Sequence, residues 1–506
     1  MNMSLYPDVL HKQTIHIHRR VMQIRLLLCT LLFLAIAVRP AAADPAMSLD
    51  DCIALTLREN RTIKNAYLDR VAQKYDLRVA EDKFVPTLTL TPKVDGSGNT
   101  KALGGGVDNV SSSTTLKPGA VATLTENLPA GGTLSVSSNY AVTSTQQAVP
   151  SRDYGWNVNL TQPLLKGAGL DVNLESVRLA RINEQKNILV LKSTLISTIS
   201  SVITAYRSYI QASKSLEITR QSLERSRELV ATNWELIAAG RMAAIEIVQS
   251  EADLANQELS LLTAENNLDA ARLALTKAID IDKSTRLTPL AETDIPPVPY
   301  TLVQARQLAF SNRPDYQSLL LDYENSKRAL TIAKRNTLWD LSLTGSYTET
   351  YSRATSITPV NSNGAWIAGL TLTIPLDNLY RSSSDRQTAL AADISLKKME
   401  NSLARQREDI EIEIQDALRS AGMNYRQIKL ATLARTLSEK KVEIETEKLK
   451  AGRSTNFQLV SYQNDLKNAQ RSELDAIITY QNALTSLESK LGITLERWGI
   501  ALAERP

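Results

Sequence analysis

Large hydrophobic residues recur every seven positions over a long stretch in the first half of the chain. They occupy Ile188, Leu195, Val202, Tyr209, Leu216, Leu223, Val230 and Ile237. The position three residues after each is mostly small or polar, as at Ala205, Ala212 and Ser226. This spacing is typical of a coiled-coil helix with one large and one small row, which lets neighbouring helices pack closely. About 70 residues at ~1.5 Å rise per residue predict a rod of roughly 100 Å.

The seven-residue spacing continues beyond a turn near 239–241 and returns, more weakly, in the second half of the chain. The positions that carry it are Ile247, Leu254, Leu261, Leu268 and Leu275, and then Ile414, Ile428, Val442 and Leu449. The sequence therefore predicts two long helical hairpins, over about 171–281 and about 381–491. An ordinary coiled-coil stalk is the alternative that periodicity alone leaves open.

Apolar residues alternate with hydroxyl residues in several segments that precede these hairpins. The clearest are 87–91, 133–137, 158–161, 341–344 and 370–374. A period of two predicts β-strands with one apolar and one polar face, which suits a wall with lipid on one side and water on the other. Tyrosine and tryptophan residues cluster near these segments, as they do at membrane interfaces. A half-exposed soluble β-hairpin is the alternative.

The predicted strands fall into two sets, over about 84–163 and about 339–376. Segment 95–115 is rich in Gly, Ser, Thr and Asn, which predicts a long flexible loop. Pro129 to Gly132 predict a short turn between strands at 119–128 and 133–143. The chain therefore provides either four or six strands, and the sequence leaves both open.

Internal similarity indicates that the chain contains two copies of one unit. Leu49 and Leu302 begin segments that match at a shift of 253, and the Ala-Gly-Arg sequences at 239–241 and 451–453 match at a shift of 212. The first copy thus carries 41 extra residues between about 91 and 160. We expect repeats at 44–290 and 301–495, a Pro-rich linker at 291–300 and a tail at 496–506.

The N-terminus has the order of a secretory signal. Basic residues precede an apolar run at 24–38, and Ala41 to Ala43 follow it, so we expect a signal peptide over 1–43. The run is shorter than the ~20 residues that span a membrane, although an N-terminal anchor helix is the alternative. The whole net charge of +4 lies in this leader, and a neutral mature chain excludes the basic footprint of a nucleic-acid partner.

The distribution of reactive residues excludes most common enzyme classes. All three histidines lie in the leader, so the mature chain cannot form a histidine-based triad or a histidine-ligated metal site. Of the cysteines, Cys29 lies in the leader and only Cys52 remains, which excludes an intrachain disulfide. We therefore expect no catalytic residue, no cofactor and no metal. A secreted hydrolase that uses carboxylates alone is the enzymatic alternative.

The two Ala-Gly-Arg sequences lie where one long helix must reverse into the next. Glycine permits the left-handed conformation that ends a helix, and Ser454 or Thr455 can cap the helix that follows the second turn. We expect the two turns to form an exposed tip that docks a partner, against the simpler alternative of a plain hairpin turn. The tip residues are Gly240, Arg241, Gly452 and Arg453.

Two further sequences complete a family resemblance. Asn312-Arg313-Pro314-Asp315 near the start of the second copy and Leu160-Thr161-Gln162-Pro163-Leu164 at the end of the first strand set resemble TolC-like outer-membrane efflux proteins. The resemblance covers essentially all of 47–495. It implies an α+β membrane protein in which transmembrane β-barrel strands continue into long antiparallel coiled-coil helices. It also implies two structural repeats and a homotrimeric α/β barrel of twelve or eighteen strands.

The resemblance also implies a function and partners. It implies an outer-membrane channel, with its helical part in the periplasm, that forms the passive exit duct of a tripartite efflux pump or a type I secretion system. The partners would be a periplasmic adaptor that grips the tips, an inner-membrane pump or ABC transporter, and outer-membrane lipid. A periplasmic coiled-coil adaptor or scaffold without a pore is the alternative. The cargo stays open.

A gate near the tip is a further expectation from the resemblance. Members of the family often narrow the tip with acidic residues six and nine positions after the turn glycine of the second copy. Those positions are Gln458 and Ser461 here, whereas the sixth position in the first copy is Glu246. We therefore expect at most a single ring of Glu246 side chains and weaker cation binding than a double acidic ring would give.

Overall fold

The computed structural model describes residues 46–102, 110–145, 149–285, 287–290, 295–354, 359–376 and 383–501. The leader predicted at 1–43 lies outside the described residues, as do 291–294 of the predicted linker and 502–506 of the predicted tail. Within the described ranges, the chain forms two successive sets of helices and strands.

The first half of the chain begins with a short strand β1 (Ala46–Met47) and two helices, α1 (Leu49–Glu59) and α2 (Arg61–Glu81). Four strands follow, and they are β2 (Thr87–Ala102), β3 (Val110–Asn127), β4 (Thr133–Thr145) and β5 (Ser151–Pro163). After the one-turn helix α3 (Leu170–Asn173), the long helices α4 (Glu175–Ala238) and α5 (Ile247–Ile279) pack on each other as a hairpin.

The second half has the same order of elements with two strands fewer among the described residues. It contains β6 (Thr288–Pro289), α6 (Leu302–Asn312), α7 (Pro314–Asn336), β7 (Asp340–Arg353), β8 (Asn361–Thr373), α8 (Ser384–Lys450), α9 (Asn456–Leu491) and α10 (Thr494–Arg497). Helices α8 and α9 form the second hairpin. The extra residues of the first half therefore provide an additional β-hairpin, which answers the question that the sequence left open between four and six strands.

All six long strands belong to one antiparallel sheet in the order β2-β3-β4-β5-β7-β8. The prediction of a loop over 95–115 is wrong, because Asp95 to Ala102 pair with Lys117 to Val110 as part of β2 and β3. Serine and threonine can adopt the extended conformation of a strand, and the neighbouring strand forms hydrogen bonds with the backbone N–H and C=O groups. Composition of a single segment cannot reveal that partner. The centre of the predicted loop, 103–109, lies outside the described residues.

Local sequence signals set where the helices begin. Ser48 caps α1 and Thr301 caps α6, each in a capping box with the residue three positions later. Asn60 caps α2 by accepting from the backbone N–H groups of Thr62 and Ile63. Pro314 occupies the first turn of α7, where its missing N–H costs nothing. Both halves thus begin with a pair of helices with defined starts.

The heptad rows pack as the sequence predicts. The large row of α4 is buried at Leu195, Val202, Tyr209, Leu216 and Leu223. The fully buried Ile199, Ile203, Leu275 and Ile279 join α4 and α5 to α1 and α2 in the largest hydrophobic cluster. A second cluster joins α6, α7, α8 and α9 around Ile410, Ile414 and Leu487.

Helix α4 is also the described helix that is long and apolar enough to cross a membrane by length and composition. Several of its apolar residues instead fill the hydrophobic cluster, including Ile196, Ile199, Val202 and Ile203. Core helices commonly have such composition, so this feature is weak evidence for a membrane span.

Two tyrosine side chains of α4 bind the segment that precedes the Pro-rich linker. The hydroxyl of Tyr206 bridges the carbonyl oxygens of Met47 and Leu290, at 2.9 and 2.8 Å. The hydroxyl of Tyr209 donates to the carbonyl of Leu287 at 2.5 Å. These bonds hold β1 and residues 287–290 against the middle of α4.

Gly492→Ala is expected to destabilise the protein more than Gly452→Ala. Both glycines end a helix with positive φ, 74° and 71°, so alanine costs about 1–2 kcal/mol at either position. A Cβ at Gly492 would also lie 2.6 Å from the carbonyl oxygen of Asn312, whereas no described atom lies within 4 Å at Gly452. Overpacking of this kind adds about 1–3 kcal/mol. Thermal unfolding followed by circular dichroism compares the two, and equal losses would contradict the close approach of α9 to α6.

Candidate channel wall and hairpin tips

The six-stranded sheet has an uncovered apolar face. The strand register brings one set of side chains to this face, namely Leu88, Leu90, Leu124, Leu134, Val136, Val158, Leu160, Leu341, Leu343, Leu370 and Leu372. Leu90 is 71% exposed and Leu370 is 65% exposed, so no other part of the described chain covers them. We call this side the apolar face. An exposed apolar area of this extent marks an interaction with lipid or protein.

The opposite side of the sheet carries hydroxyl and amide groups. Its residues include Thr87, Thr89, Thr123, Thr125, Ser135, Ser137, Asn157, Asn159, Ser342, Thr344, Thr371 and Thr373. Asn157 Nδ2 donates to Thr348 Oγ1 at 2.5 Å, and the hydroxyls of Thr143 and Ser352 donate to Asp153 at 3.0 and 2.6 Å. We call this side the polar face. It is chemically suited to water.

Aromatic residues border the apolar face at both ends. Tyr140, Tyr154 and Tyr351 lie in one row across three strands, and the rings of Tyr154 and Tyr351 stack with centroids 5.1 Å apart. Trp339 immediately precedes β7 at the end nearest the helices. The ~12 residues from Trp339 to Tyr351 span ~40 Å along the strand, or ~28 Å at the ~45° tilt of membrane strands. This height is close to the ~25 Å apolar band of an outer-membrane barrel.

The turns at the far ends of the two helical hairpins have the same geometry. Gly240 and Gly452 are left-handed, with φ of 68° and 71°. The N–H of Arg241 donates to the carbonyl of Leu236, and the N–H of Arg453 to that of Lys448, each at 2.8 Å. Each turn therefore closes its helix in the pattern expected of a C-terminal glycine. The left-handed glycine predicted for both turns is present.

The two tips contact each other within one chain. The guanidinium of Arg241 donates to the carbonyl of Lys450 at 3.0 Å. Thr455 caps α9 by accepting from the N–H of Gln458, as the sequence allowed. Ser454 instead donates to the carboxylate of Glu445, and this bond lowers the pKa of Glu445. At the first turn, where every residue is described, a 3-10 turn over Ala244–Glu246 leads into α5 without a side-chain cap.

The predicted gate residues lie at the starts of the returning helices. Glu246 is exposed, and its backbone carbonyl accepts from Asn456 Nδ2 at 3.1 Å. Gln458 in the first turn of α9 and Ser461 in the turn after it are both half-buried. The link between Glu246 and α9 thus runs through its backbone and leaves its carboxylate at the surface. A gating role for the three residues stays a prediction.

Sequence reasoning missed a buried polar layer behind the tips, where α4, α5 and α9 meet. We define this polar layer by the half-buried Asn464 and by seven buried residues, namely Ser226, Asn233, Ser250, Asp253, Gln257, Asn456 and Lys467. The carboxylate of Asp253 accepts from Ser226 Oγ at 2.8 Å and from the amides of Gln257 and Asn464 at 3.3 Å. Ser226 belongs to the small heptad row, so a polar residue in a buried row was the available signal.

The polar layer also holds a buried cation and an amide bridge. Lys467 Nζ donates to Gln257 Oε1 at 2.7 Å. Burial, and then the charges of Arg471 and Arg225, lower the pKa of Lys467, while Asp253 opposes this. Asn233 Nδ2 contacts Ser250 Oγ at 3.0 Å and Asn456 Oδ1 at 3.1 Å, which joins the two hairpins. Because these partners are largely removed from water, we expect their contacts to hold the two hairpins in one register.

The Asn-Arg-Pro-Asp motif has a structural role in the described residues. The guanidinium of Arg313 binds the carboxylates of Asp315 at 2.7 Å and Glu413 at 2.8 Å. Burial alone would raise the pKa of Asp315, but the hydrogen bond and charge of Arg313 lower it. The motif thus ties the start of α7 to α8, far from the tips.

The architecture is that of outer-membrane channel proteins. The CmeC outer membrane channel of Campylobacter jejuni matches with 17% identity and a TM-score of 0.62, over 90% of this chain and 87% of that chain. VceC of Vibrio cholerae matches with 15% identity and a TM-score of 0.61, over 90% and 97%. The open-state MtrE channel of Neisseria gonorrhoeae matches with 15% identity and a TM-score of 0.59, over 88% of each. A comparison with curated proteins finds no match.

Part of the sequence also matches a known family. Residues 52–280, a little under half of the chain, match the family model described as outer membrane efflux protein. The resemblance drawn from the sequence is confirmed, and so is the prediction of an outer-membrane protein with a periplasmic helical part.

Proposed function

We propose that the chain is one subunit of a homotrimeric channel that forms the exit duct of a tripartite efflux pump or a type I secretion system. The observation that carries this proposal is the sheet with one apolar and one polar face, joined directly to two long helical hairpins. If each copy contributes its six strands, a closed trimer has eighteen. The hydroxyl-rich polar face would line the bore, and the apolar face would contact lipid.

The edges of the sheet support closure with further copies. Strands β2 and β8 are the edge strands of the sheet, and each has one neighbouring strand within the described chain. In lipid, every backbone N–H and C=O needs a partner, so a sheet spans a membrane only when its edges are joined. If β8 of one copy pairs with β2 of the next, the backbone groups of both edge strands find partners. Repeating this contact around one rotation axis closes the copies into a ring.

The tips support the proposal that an adaptor docks there. Gly240, Arg241, Gly452 and Arg453 are exposed at the ends of the hairpins. Ile245 is 75% exposed and Phe457 is 66% exposed beside them. Exposed apolar side chains next to arginines are suited to a protein partner. The partners would be a periplasmic adaptor and an inner-membrane pump, and the pump would supply the energy because the duct itself performs no chemistry.

A pore-less periplasmic adaptor or scaffold is the second candidate. The helical hairpins alone would suit it equally well. The apolar face argues against it, since a periplasmic protein would leave Leu90 and Leu370 in water. Membrane fractionation distinguishes the two, because only the duct would be recovered as a heat-modifiable outer-membrane oligomer.

A cleavable cross-link across the two tips tests whether the tips must separate during transport. The guanidinium of Arg241 reaches the backbone carbonyl of Lys450, so Arg241→Cys with Lys450→Cys can be joined by a bis-thiol reagent of similar reach that contains a reducible bond. Cys52 can stay in place, because burial raises the pKa of its thiol to about 12. We expect cross-linking to abolish export in cells and reductive cleavage of the linker to restore it.

The matched control links the same hairpins away from the tips. Gln211 and Asp475 are in contact between α4 and α9 at 2.7 Å, and cysteines there joined by the same reagent should leave export largely intact. Full export with the tip cross-link formed would contradict the proposal that the duct opens by separation of the tips.

A further inference from the structure

Four helices next to the sheet pack side by side in a row. Helix α2 packs on α4, α4 on α7, and α7 on α8, so α2 and α8 are the outer members of the row. Helix α2 leads into the edge strand β2, and α8 follows the edge strand β8 along the chain. If β8 of one subunit pairs with β2 of the next, α8 of the first subunit therefore lies beside α2 of the second.

The two halves of the chain repeat the same helices at the shifts of 253 and 212 that the sequence shows. The capping residues Ser48 and Thr301 correspond at the shift of 253, and the helix ends at Ala238 and Lys450 correspond at the shift of 212. Helix α2 is thus the counterpart of α7, and α8 is the counterpart of α4. The contact of α4 with α7 inside one chain is therefore a template for the contact of α8 with α2 between subunits.

An ion pair joins α4 to α7 in this template. Nζ of Lys186 on α4 lies 2.7 Å from Oδ1 of Asp322 on α7, and the two side chains are 29% and 34% exposed. The counterpart of Lys186 is Lys398 on α8, and the counterpart of Asp322 is Asp69 on α2. The same two residue types therefore stand at the corresponding positions of the two outer helices.

Asp69 and Lys398 have no such partner inside one chain. Both are exposed, and within the ranges that the structure describes neither forms an ion pair or a side-chain hydrogen bond. They carry opposite charges, and they lie on the two helices that would meet between subunits. Their charges are thus complementary across that contact.

The apolar residues near the two charges show the same difference between inner and outer helices. Ile182 on α4 is 8% exposed, whereas its counterpart Ile394 on α8 is 44% exposed. Leu321 on α7 is half-buried, whereas its counterpart Leu68 on α2 is 67% exposed. Exposed apolar residues grouped in this way mark a contact surface.

We propose that Asp69 of one subunit and Lys398 of the next form an ion pair that holds α2 against α8, with Leu68 and Ile394 buried beside it. The contact recurs at each of the three interfaces of the trimer. Opposite charges across an interface also disfavour registers in which like charges meet. The proposal rests on the proposed function, because pairing of β8 with β2 places the two helices side by side.

Exchange of the two charges tests the pair in the mature protein. Asp69→Lys or Lys398→Asp places like charges at every interface, and the double variant restores opposite charges. From a change of about fivefold in affinity at one interface, each single variant should weaken assembly of the trimer about a hundredfold. The double variant should return to within about fivefold of wild type. Native mass spectrometry measures the trimer fraction in urea that half-dissociates the wild-type trimer.

Arg78→Asp is the matched control on α2. Arg78 is exposed, and its counterpart Thr331 stays exposed on α7 although α4 and α8 pack on that helix. This position therefore lies outside the expected contact. The reversal of its charge should change the affinity of the trimer by less than about twofold.

Two results would overturn the inference. These are a double variant that assembles no better than the single variants, or a loss in Arg78→Asp as large as theirs. Conductance of the wild-type preparation separates the two proposals. A conducting wild-type trimer together with either result contradicts the ion pair alone, whereas a wild-type protein that forms neither trimer nor pore contradicts the proposed function.

Discussion

Replacing Leu160 with arginine is expected to lower the free energy of unfolding in lipid by about 2–4 kcal/mol, as arginine does near the middle of a barrel's lipid face. Leu160 lies on the apolar face of the central strand β5, paired with Leu134 and Gly345. Its row lies between the aromatic rims. Thr161→Arg is the matched control, because the next residue projects to the polar face and should cost less than about 1 kcal/mol.

Chemical denaturation in lipid vesicles, followed by tryptophan fluorescence, measures both variants. A similar loss for Leu160→Arg and Thr161→Arg would show that both faces meet the same environment. A larger loss for Thr161→Arg would reverse the assignment of lipid and water to the two faces.

Replacing Asp253 with alanine is expected to cost about 3–5 kcal/mol, the range for breaking a buried charged network. Asp253 is 8% exposed. Its loss leaves three polar partners, Ser226, Gln257 and Asn464, with an unmet bond, and removes the acid that opposes the lowered pKa of Lys467. The variant should also loosen the register between the two hairpins, since the polar layer joins them.

Thermal unfolding of the helices, followed by circular dichroism, provides the measurement for Asp253→Ala. Glu251→Ala on the same helix is the control, because Glu251 is exposed and should change stability by less than about 0.5 kcal/mol. Indistinguishable melting of the two variants would mean that water reaches the polar layer and that it does not set the register.

The sequence was most informative where hydrophobic residues recur at one constant spacing without interruption. The seven-residue rows of α4 predicted which side chains are buried, because a long helix must place every large residue on the same stripe. Alternation in 133–137 and 370–374 predicted the faces of β4 and β8 for the same reason, with a period of two. In these elements the local pattern and the final packing require the same arrangement.

The sequence was misleading or silent where a distant partner decides the structure. Segment 95–102 has the composition of a loop, yet it is a strand because 110–117 pairs with it. The polar layer depends on Asp253 and Asn464, which are 211 residues apart and become neighbours only when the hairpins pack. The contact of Arg241 with Lys450 depends on the same packing.

The tips show both situations at once. A glycine between two long helices predicts a left-handed turn, and Gly240 and Gly452 adopt it. Which side chains then meet at the tip depends on how the two hairpins lie against each other. Local sequence therefore located the turns, and packing determined that Asn456 bonds to the backbone of Glu246.

Conductance of the purified mature protein in planar lipid bilayers tests the central claim most directly, namely that identical copies enclose a water-filled bore with the polar face inside. The account predicts a trimer that inserts and conducts in discrete steps. In that trimer a cysteine at Thr344, on the polar face, would let a charged thiol reagent reduce the current, and one at Leu343, on the apolar face, would not. A monomeric protein without conductance, or a current that responds only at Leu343, would contradict the account.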